Sequence, residues 1–296
     1  MLNSHPLLAV ANDSHFIPRV IKDLAVGTDP KLTPDLVERV RTYKRFYRLE
    51  LPDAAVEEAA GRSRTYSEFV GALYSEYGRL RGKALAGEKT PDYVRYLPCL
   101  HALFPWVRTI HIIRDGRDVA LSTLEWVKES KGPGRFGLWR DEPVAVCALW
   151  WRRQVETGRV ASESLDSNRY QEVKYEDLID HPDASLRDLS AFLELPFSPD
   201  MLAYHEGRMR HDPGLSAKKA WLPPTQGLRD WREQMKYRDV ELFEALAGDL
   251  LTSLGYEHAT SAVSPAISRT AGRCRRWWDS EMTRREAKRI GRLSRL

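Results

Sequence analysis

The chain has 296 residues, 42% of them hydrophobic and 10% aromatic, enough apolar material for one large α/β domain or two smaller ones and too much for a disordered chain. It contains no run of about 18 apolar residues and does not open on a basic-then-apolar leader, so neither a membrane-spanning helix nor a secretory signal is expected. The formal charge of +4 is unevenly spread: the stretch from Ala259 to Leu296 holds 10 Lys+Arg against 3 Asp+Glu, leaving 36 against 39 for the preceding 258 residues, so the body is not expected to bind polyanions in general.

In chain order, residues 33–82 read as helices interrupted at LPDAA and GRSRT. Ser63 and Thr65 precede a stretch in which Phe69, Leu73, Tyr77 and Leu80 recur at helical spacing. A short connecting segment, KALAGEK, leads to TPDYVRYLPCLHALF, a helix with Pro91 in its first turn. Thr109–Ile113 is an apolar strand, followed by RDGRD and an amphipathic helix. KESKGPGRFGLWRDEP is a loop, AVCALWWRRQVETGRVASESL a helix, RYQEVKYEDL a strand and turn, and SLRDLSAFLEL another helix. The stretch from Met201 to Gln226 reads as irregular, and VELFEALAGDLLTSLGY is the last helix of a body ending at residue 258. Strands alternating with helices imply an α/β three-layer sandwich with a central parallel sheet, in which ligands bind beyond the carboxyl ends of the strands. Cys99, Cys147 and Cys274 lie far apart, which fits free thiols in a reducing, cytoplasmic setting and speaks against a CxxC-type zinc site; no metal is expected.

Arg114 follows the strand TIHII, where a sheet of this kind binds ligands. A guanidinium offers a planar fork of donors that matches phosphate oxygens, and Ser122, two helical turns on, can turn its hydroxyl toward an anion held near the helix start. Asp115 and Asp118 can cap free N–H groups or orient the arginines. The same residues also fit a salt-bridged turn in which Arg114 pairs with a neighbouring aspartate and Ser122 simply occupies a helix surface.

The segments GEKTPDYVRYLPCLHALFPWVRTIHIIRDGRDVALSTL and YEDLIDHPDASLRDLSAFLELPF closely resemble sulfotransferases that use 3′-phosphoadenosine 5′-phosphosulfate, in particular the bacterial and tyrosylprotein types, and the resemblance runs from Met1 to about Tyr256. It implies a P-loop nucleotide-kinase-like fold in which Arg114 and Ser122 hold the nucleotide 3′-phosphate. It also implies that Tyr175 contacts the base, and that Gly227 and Arg229, in TQGLRDWRE, belong to a loop closing over that phosphate. Trp231 fits packing and contact equally well. Lys89, in GEKTP, resembles the lysine beside the transferring sulfuryl group, where a cation stabilises charge on the bridging oxygen. Some cytosolic members carry a catalytic histidine two residues later, a position held here by Pro91. MLNSHPLLAVANDSHFIPR resembles the stretch in which an acidic residue precedes an -IPR ending, and this puts Asp13 in the place of the catalytic base. Carboxylates are ionised at neutral pH and can accept a hydroxyl proton, although Asp is one methylene shorter than the Glu common there. His15 is the neighbouring alternative.

The family's glycine- and serine-rich phosphosulfate loop has no counterpart in the sequence, neither as an RSGTT-like nor as a GxxxxGK[ST] stretch. The resemblance places Met1 inside the helix that follows that loop, so the first strand, the loop and a turn or two, on the order of twenty residues, are expected to be absent. Either the natural start lies upstream, or the form is degenerate; on both readings this chain alone would be a poor catalyst.

The expected function is transfer of a sulfuryl group from 3′-phosphoadenosine 5′-phosphosulfate to a hydroxyl or amine of a small molecule, glycan, lipid or peptide, with residues 28–65 and 128–142 forming the acceptor pocket. A non-catalytic nucleotide-binding or scaffold relative is a second reading, and a phosphoryl transferase of related fold a third. In the tail, Trp278, Met282, Ile290 and Leu293 can share one face of a helix, which makes residues 273–296 a candidate surface for a membrane or a protein. A solvated terminus fits the same residues, and no nucleic-acid motif is present.

Overall fold

The structure, a computed structural model, describes residues 1–126, 132–206, 222, 223, 225 and 229–293. In chain order these form β1 (Leu8–Asn12), α1 (Phe16–Val20), α2 (Pro34–Arg41), α3 (Asp53–Gly61), α4 (Tyr66–Arg79), β2 (Leu85–Lys89), α5 (Leu97–Leu103), β3 (Thr109–Ile113) and α6 (Gly116–Trp126). They continue with α7 (Pro143–Ser162), β4 (Tyr170–Lys174), α8 (Tyr175–Asp180), α9 (Pro182–Phe192), α10 (Trp231–Gln234), α11 (Tyr237–Ser253) and α12 (Pro265–Leu293). Strands β1 and β2 form one two-stranded sheet and β3 and β4 another. The chain is thus mixed α/β, and the β1–β2 pair is parallel, with Leu8 opposite Leu85 and Asn12 opposite Lys89. None of the described helices is long and apolar enough to cross a membrane.

Two compact units are present: Met1–His111 with Ser164–Gln171 and Asp177–Thr225, and Ile112–Glu163 with Glu172–Glu176 and Gln226–Leu296.

In the first unit, the segment expected to be a simple connection, KALAGEK, contributes β2, and LAVAN, not anticipated as a strand, contributes β1. Gly, Ala, Glu and Lys are poor strand formers, and five residues are too few to establish a period, so pairing rather than propensity makes these strands. Helix α4 follows the periodic pattern: Thr65 caps it by accepting from the Glu68 amide at 3.3 Å, and Phe69 and Leu73 are fully buried. Leu80 falls one residue past its last turn and is exposed. The helix expected from Thr90 to Phe104 is split into a 3-10 segment, Pro91–Tyr96, and α5. Pro98 has no N–H to give and crowds the carbonyl of the preceding turn, so the chain restarts there.

In the second unit, α6, α7, α11 and α12 enclose one apolar core containing Ile113, Ala120, Trp151, Phe243, Leu246 and Trp278. The start of α6 is pressed so tightly against α7 and α11 that a Cβ on Gly116 would stand 2.5 Å from the Trp151 ring and 2.6 Å from Phe243. The basic C-terminal segment is helical from Pro265 to Leu293, and Ile267, Ala271, Cys274 and Trp278 form a buried stripe at spacings of four, three and four. The Trp278 ring lies 4.7 Å from that of Phe136. The apolar face weighed for a membrane or partner is therefore covered, as far as Trp278, by the unit's own core. The side chains of Ile290 and Leu293 lie outside the described residues.

Candidate active site

Four of the residues singled out for the nucleotide fall in the second unit. Arg114 leaves the end of β3, and its guanidinium donates to the Asp118 carboxylate at 2.8 Å and to the Arg229 carbonyl at 3.3 Å. The Tyr175 ring lies under it, 4.6 Å from ring centroid to guanidinium carbon. Asp118, Ser122 and Glu125 stand at i, i+4 and i+7 on α6 and so share one face. Arg114 pairs with the first of these and Arg229 with the last, which leaves the Ser122 hydroxyl on the face flanked by both arginines. Gly227 lies outside the described residues.

The aspartate pairing weighed for Arg114 is therefore present, yet it leaves the group unsaturated. The Arg114 Nε is buried with no hydrogen-bond partner, and a buried donor in that state costs about 1–3 kcal/mol. Asp118 sits in the same partly desolvated spot: burial pushes its carboxyl above the ordinary range, against the pull of Arg114.

This geometry rests on a network beneath it. Arg117 is fully buried; its Nε and Nη2 reach the Asp115 carboxylate at 3.0 and 2.7 Å, and its Nη1 reaches Glu244 at 2.6 Å. Its guanidinium stacks on Trp231 at 3.6 Å, and the Trp231 indole donates to Asp115 at 3.1 Å. Trp231 is buried and donates its backbone amide to Asp118 at 3.0 Å, so it packs and anchors the segment bearing Arg229. Glu244 is held as a carboxylate: burial works against its charge, but the amides of Ala259 and Thr260 and the Thr260 hydroxyl outweigh it and keep the group below its usual value. Asp115 caps by accepting from the Arg117 amide at 2.9 Å, and Glu176 accepts from the Asp115 amide at 2.9 Å.

The three residues proposed for chemistry fall in the first unit. Asp13 leaves the end of β1 in the left-handed region, φ 57°, its amide donating to the Lys89 carbonyl at 2.8 Å. Its carboxylate lies 3.1 Å from the Lys89 ammonium and 3.6 Å from the Arg48 guanidinium. His15 also has positive φ, 63°, with Nδ1 3.9 Å from Asp92. Burial, then the charge of Arg45, holds the imidazole below its ordinary pKa. Between the two bends Ser14 is buried, its amide donating to Glu88 at 2.8 Å, while Tyr74 donates to the other Glu88 oxygen at 2.6 Å. Side chains held in such sparsely populated backbone conformations recur at functional sites. Asp13 and Lys89 stand together, and His15 faces Asp92.

Within each unit taken by itself, these residues occupy the same kind of position. Lys89 ends β2, and Asp13, Arg114 and Tyr175 each follow the last residue of β1, β3 and β4. Every one is thus at a strand's carboxyl end, where α/β proteins bind ligands. Sequence reasoning missed Arg117, Glu244, Glu88 and Asp92. Of these, Arg117 carried the one readable signal, a second arginine inside RDGRD. Among the described residues no group of three or more His, Cys, Asp or Glu side chains could hold a metal.

Residues 1–199 match the family model described as "Sulfotransferase family". The chain is 27% identical over 238 residues to nodulation protein NoeE of Sinorhizobium fredii, covering 71% of this chain and 56% of that protein. It is 24% identical over 268 residues to protein-tyrosine sulfotransferase 1 of Danio rerio, covering 87% of this chain and 67% of that one. The sulfotransferase domain from the Synechococcus PCC 7002 olefin synthase superposes with a TM-score of 0.52 at 18% identity, covering 85% of this chain and 94% of the domain, a likeness of fold. The chain spans 25%, 56% and 41% of the length of the first curated relatives it matches. With a matching model over two thirds of its residues and a sulfotransferase fold, the chain belongs to the sulfotransferase family.

Proposed function

We propose that the protein moves a sulfuryl group from 3′-phosphoadenosine 5′-phosphosulfate to a hydroxyl or amine acceptor, and that this chain supplies the residues for the 3′-phosphate, the base and the acceptor but not, by itself, the phosphosulfate loop. The observation that carries this reading is the set Arg114, Ser122, Tyr175 and Arg229, with the Arg114 Nε buried and unpartnered. A phosphate suits that set: it accepts from the spare Arg114 donor and from Ser122, and the two arginines offset its charge. The adenine would lie against Tyr175. The bound nucleotide supplies an activated sulfuryl group on a good leaving group.

The chain's own residues do the rest. Asp13 accepts the acceptor's proton as the acceptor oxygen or nitrogen bonds to sulfur, and the bond from sulfur to the bridging phosphate oxygen breaks. Lys89 holds Asp13 in place and offers its ammonium to the charge that builds on that oxygen. His15, engaged by Asp92, is a positioning group in this scheme. Relatives named for a protein tyrosine, a carbohydrate and an omega-hydroxylated menaquinone have a hydroxyl in common, which supports a hydroxyl acceptor here.

The test is calorimetric titration with adenosine 3′,5′-bisphosphate, with adenosine 5′-phosphate as control. The 3′-phosphate is expected to tighten binding, and Arg114→Ala to weaken it about 10- to 100-fold, the worth of a charge-assisted bond of about 1.5–3 kcal/mol. Equal affinity for the two nucleotides, or no effect of the substitution, would refute the assignment.

A further inference from the structure

The cations around Asp13 outnumber what the chain's own carboxylates satisfy. Arg19, Arg45, Arg48, Lys89 and Arg95 surround Asp13, Asp92 and Glu88. Glu88 is taken by the Ser14 amide and the hydroxyls of Tyr74 and Thr90. Asp92 is shared by Arg19 and Arg95; burial works against its charge, but the two guanidiniums outweigh it and hold the carboxyl below its usual range. Asp13 is shared by Lys89 and Arg48, the latter only at 3.6 Å. Among the described residues no carboxylate pairs with Arg45. It is partly buried, forms no ion pair among the described residues, and has one long contact, 3.5 Å, to the Asp13 carbonyl.

Two guanidiniums therefore converge on consecutive carbonyls at the exit of β1, Arg48 on Asn12 at 3.3 Å and Arg45 on Asp13. Each guanidinium has five N–H donors, so both keep donors to spare. The Arg19 Nε is also buried with no partner. Partial burial raises the cost of an uncompensated charge, and an arriving anion offsets it. The low pKa of His15, owed to burial and then to Arg45, and the contest at Tyr43, where burial raises the phenol while Arg19 and Arg45 pull it down, report the same positive field.

We infer that Arg45 and Arg48 form an anion subsite for the acceptor, which would carry a carboxylate, sulfate or phosphate group close to the hydroxyl presented to Asp13. The inference rests on the acceptor-side role given to Asp13, and Arg45 and Arg48 are its specificity residues. Both lie within residues 28–65, the stretch expected to line the acceptor pocket. A neutral acceptor would leave the cations unbalanced when it displaced water from them, whereas an anionic one replaces that water with charge-assisted bonds.

The experiment uses the full chain and matched probes: 4-hydroxyphenylacetate and 4-hydroxybenzenesulfonate, with the methyl ester of the former as the neutral partner. Binding is followed by calorimetry or ligand-observed NMR without nucleotide, at low and at moderate salt. The acids are expected to bind at least about tenfold better than the ester, as one charge-assisted contact would give. That preference should shrink with salt and vanish in Arg45→Gln and in Arg45→Gln/Arg48→Gln, with circular dichroism and adenosine 3′,5′-bisphosphate affinity unchanged. Equal binding of acid and ester, no measurable binding of either acid, or a preference that survives both substitutions overturns the inference. If nucleotide binding proves insensitive to Arg114 while the acid preference still depends on Arg45, the transfer reading falls and the anion subsite stands.

Discussion

The two arginine-rich clusters are built on opposite electrostatic plans. In the second unit, each arginine that supports the nucleotide set has its own carboxylate: Arg117 has Asp115 and Glu244, Arg114 has Asp118, and Arg229 has Glu125. In the first unit the cations share too few carboxylates, and among the described residues Arg45 is held by a carbonyl alone. Balanced charges at depth hold a shape, whereas unbalanced charges near the surface leave attraction to spare for a ligand. The first plan suits a rigid holder for the proposed nucleotide, and the second suits recognition of the proposed acceptor.

The sharpest way to break this comparison is to remove one arginine from each cluster. Arg117→Ala strands two buried carboxylates and removes the surface on which Trp231 stacks, and it should cost about 3–5 kcal/mol, the usual penalty for orphaning a buried ion-pair partner. Arg45→Ala should leave stability within about 0.5 kcal/mol, as surface substitutions outside such networks do. Urea denaturation of both variants decides it; a large loss at Arg45 would mean that its charge is already compensated inside the protein.

A smaller effect should sharpen the structural half. Gly116→Ala introduces a methyl that would meet Trp151 at 2.5 Å, and overpacking of this kind costs about 1–3 kcal/mol. Trp151 also donates to the Arg114 carbonyl at 3.1 Å, so the strain is delivered where β3 hands over to α6. Affinity for adenosine 3′,5′-bisphosphate should fall with stability in Gly116→Ala, while the acid–ester preference assigned to Arg45 should not move.

The same contrast decides what could be read in the sequence. Arg114 was legible because a short apolar run ended on it and a helical pattern began just after, which puts a cation at a strand's carboxyl end by spacing alone. Ser122 followed by counting two helical turns, whereas Tyr175 came only from the resemblance of KYEDL to the family's segment. Arg117 and Glu244 were not legible as partners, being 127 residues apart with no period linking them. Arg45 was invisible for another reason: its partner is a main-chain carbonyl, which every residue has, so no residue type marks the spot. Strands β1 and β2 escaped because their residues favour strand only once paired. The tail pattern caught Trp278 but not its destination, since an apolar stripe reads alike whether it meets a membrane or the protein's own core.

The smallest expected effect concerns another first-unit arginine that has no carboxylate partner among the described residues. Arg169 donates to the His101 Nδ1 at 2.8 Å, and the His101 Nε2 lies 2.9 Å from the Thr109 hydroxyl. An arginine can only donate, so Nδ1 carries no proton and the neutral ring gives its Nε2–H to Thr109. Burial, and then the Arg169 charge, push the imidazole down to about 4. The unfolded chain therefore takes up this proton first as pH falls from about 6.5, and folding becomes progressively less favourable until pH passes below about 4, where both states are protonated. His101→Asn keeps an acceptor for Arg169 and a donor for Thr109 but cannot titrate. The fall in urea midpoint between about pH 6.5 and 4 should be shallower in that variant than in the parent; identical slopes would show that Arg169 is not held by a neutral imidazole and that an anion balances it after all.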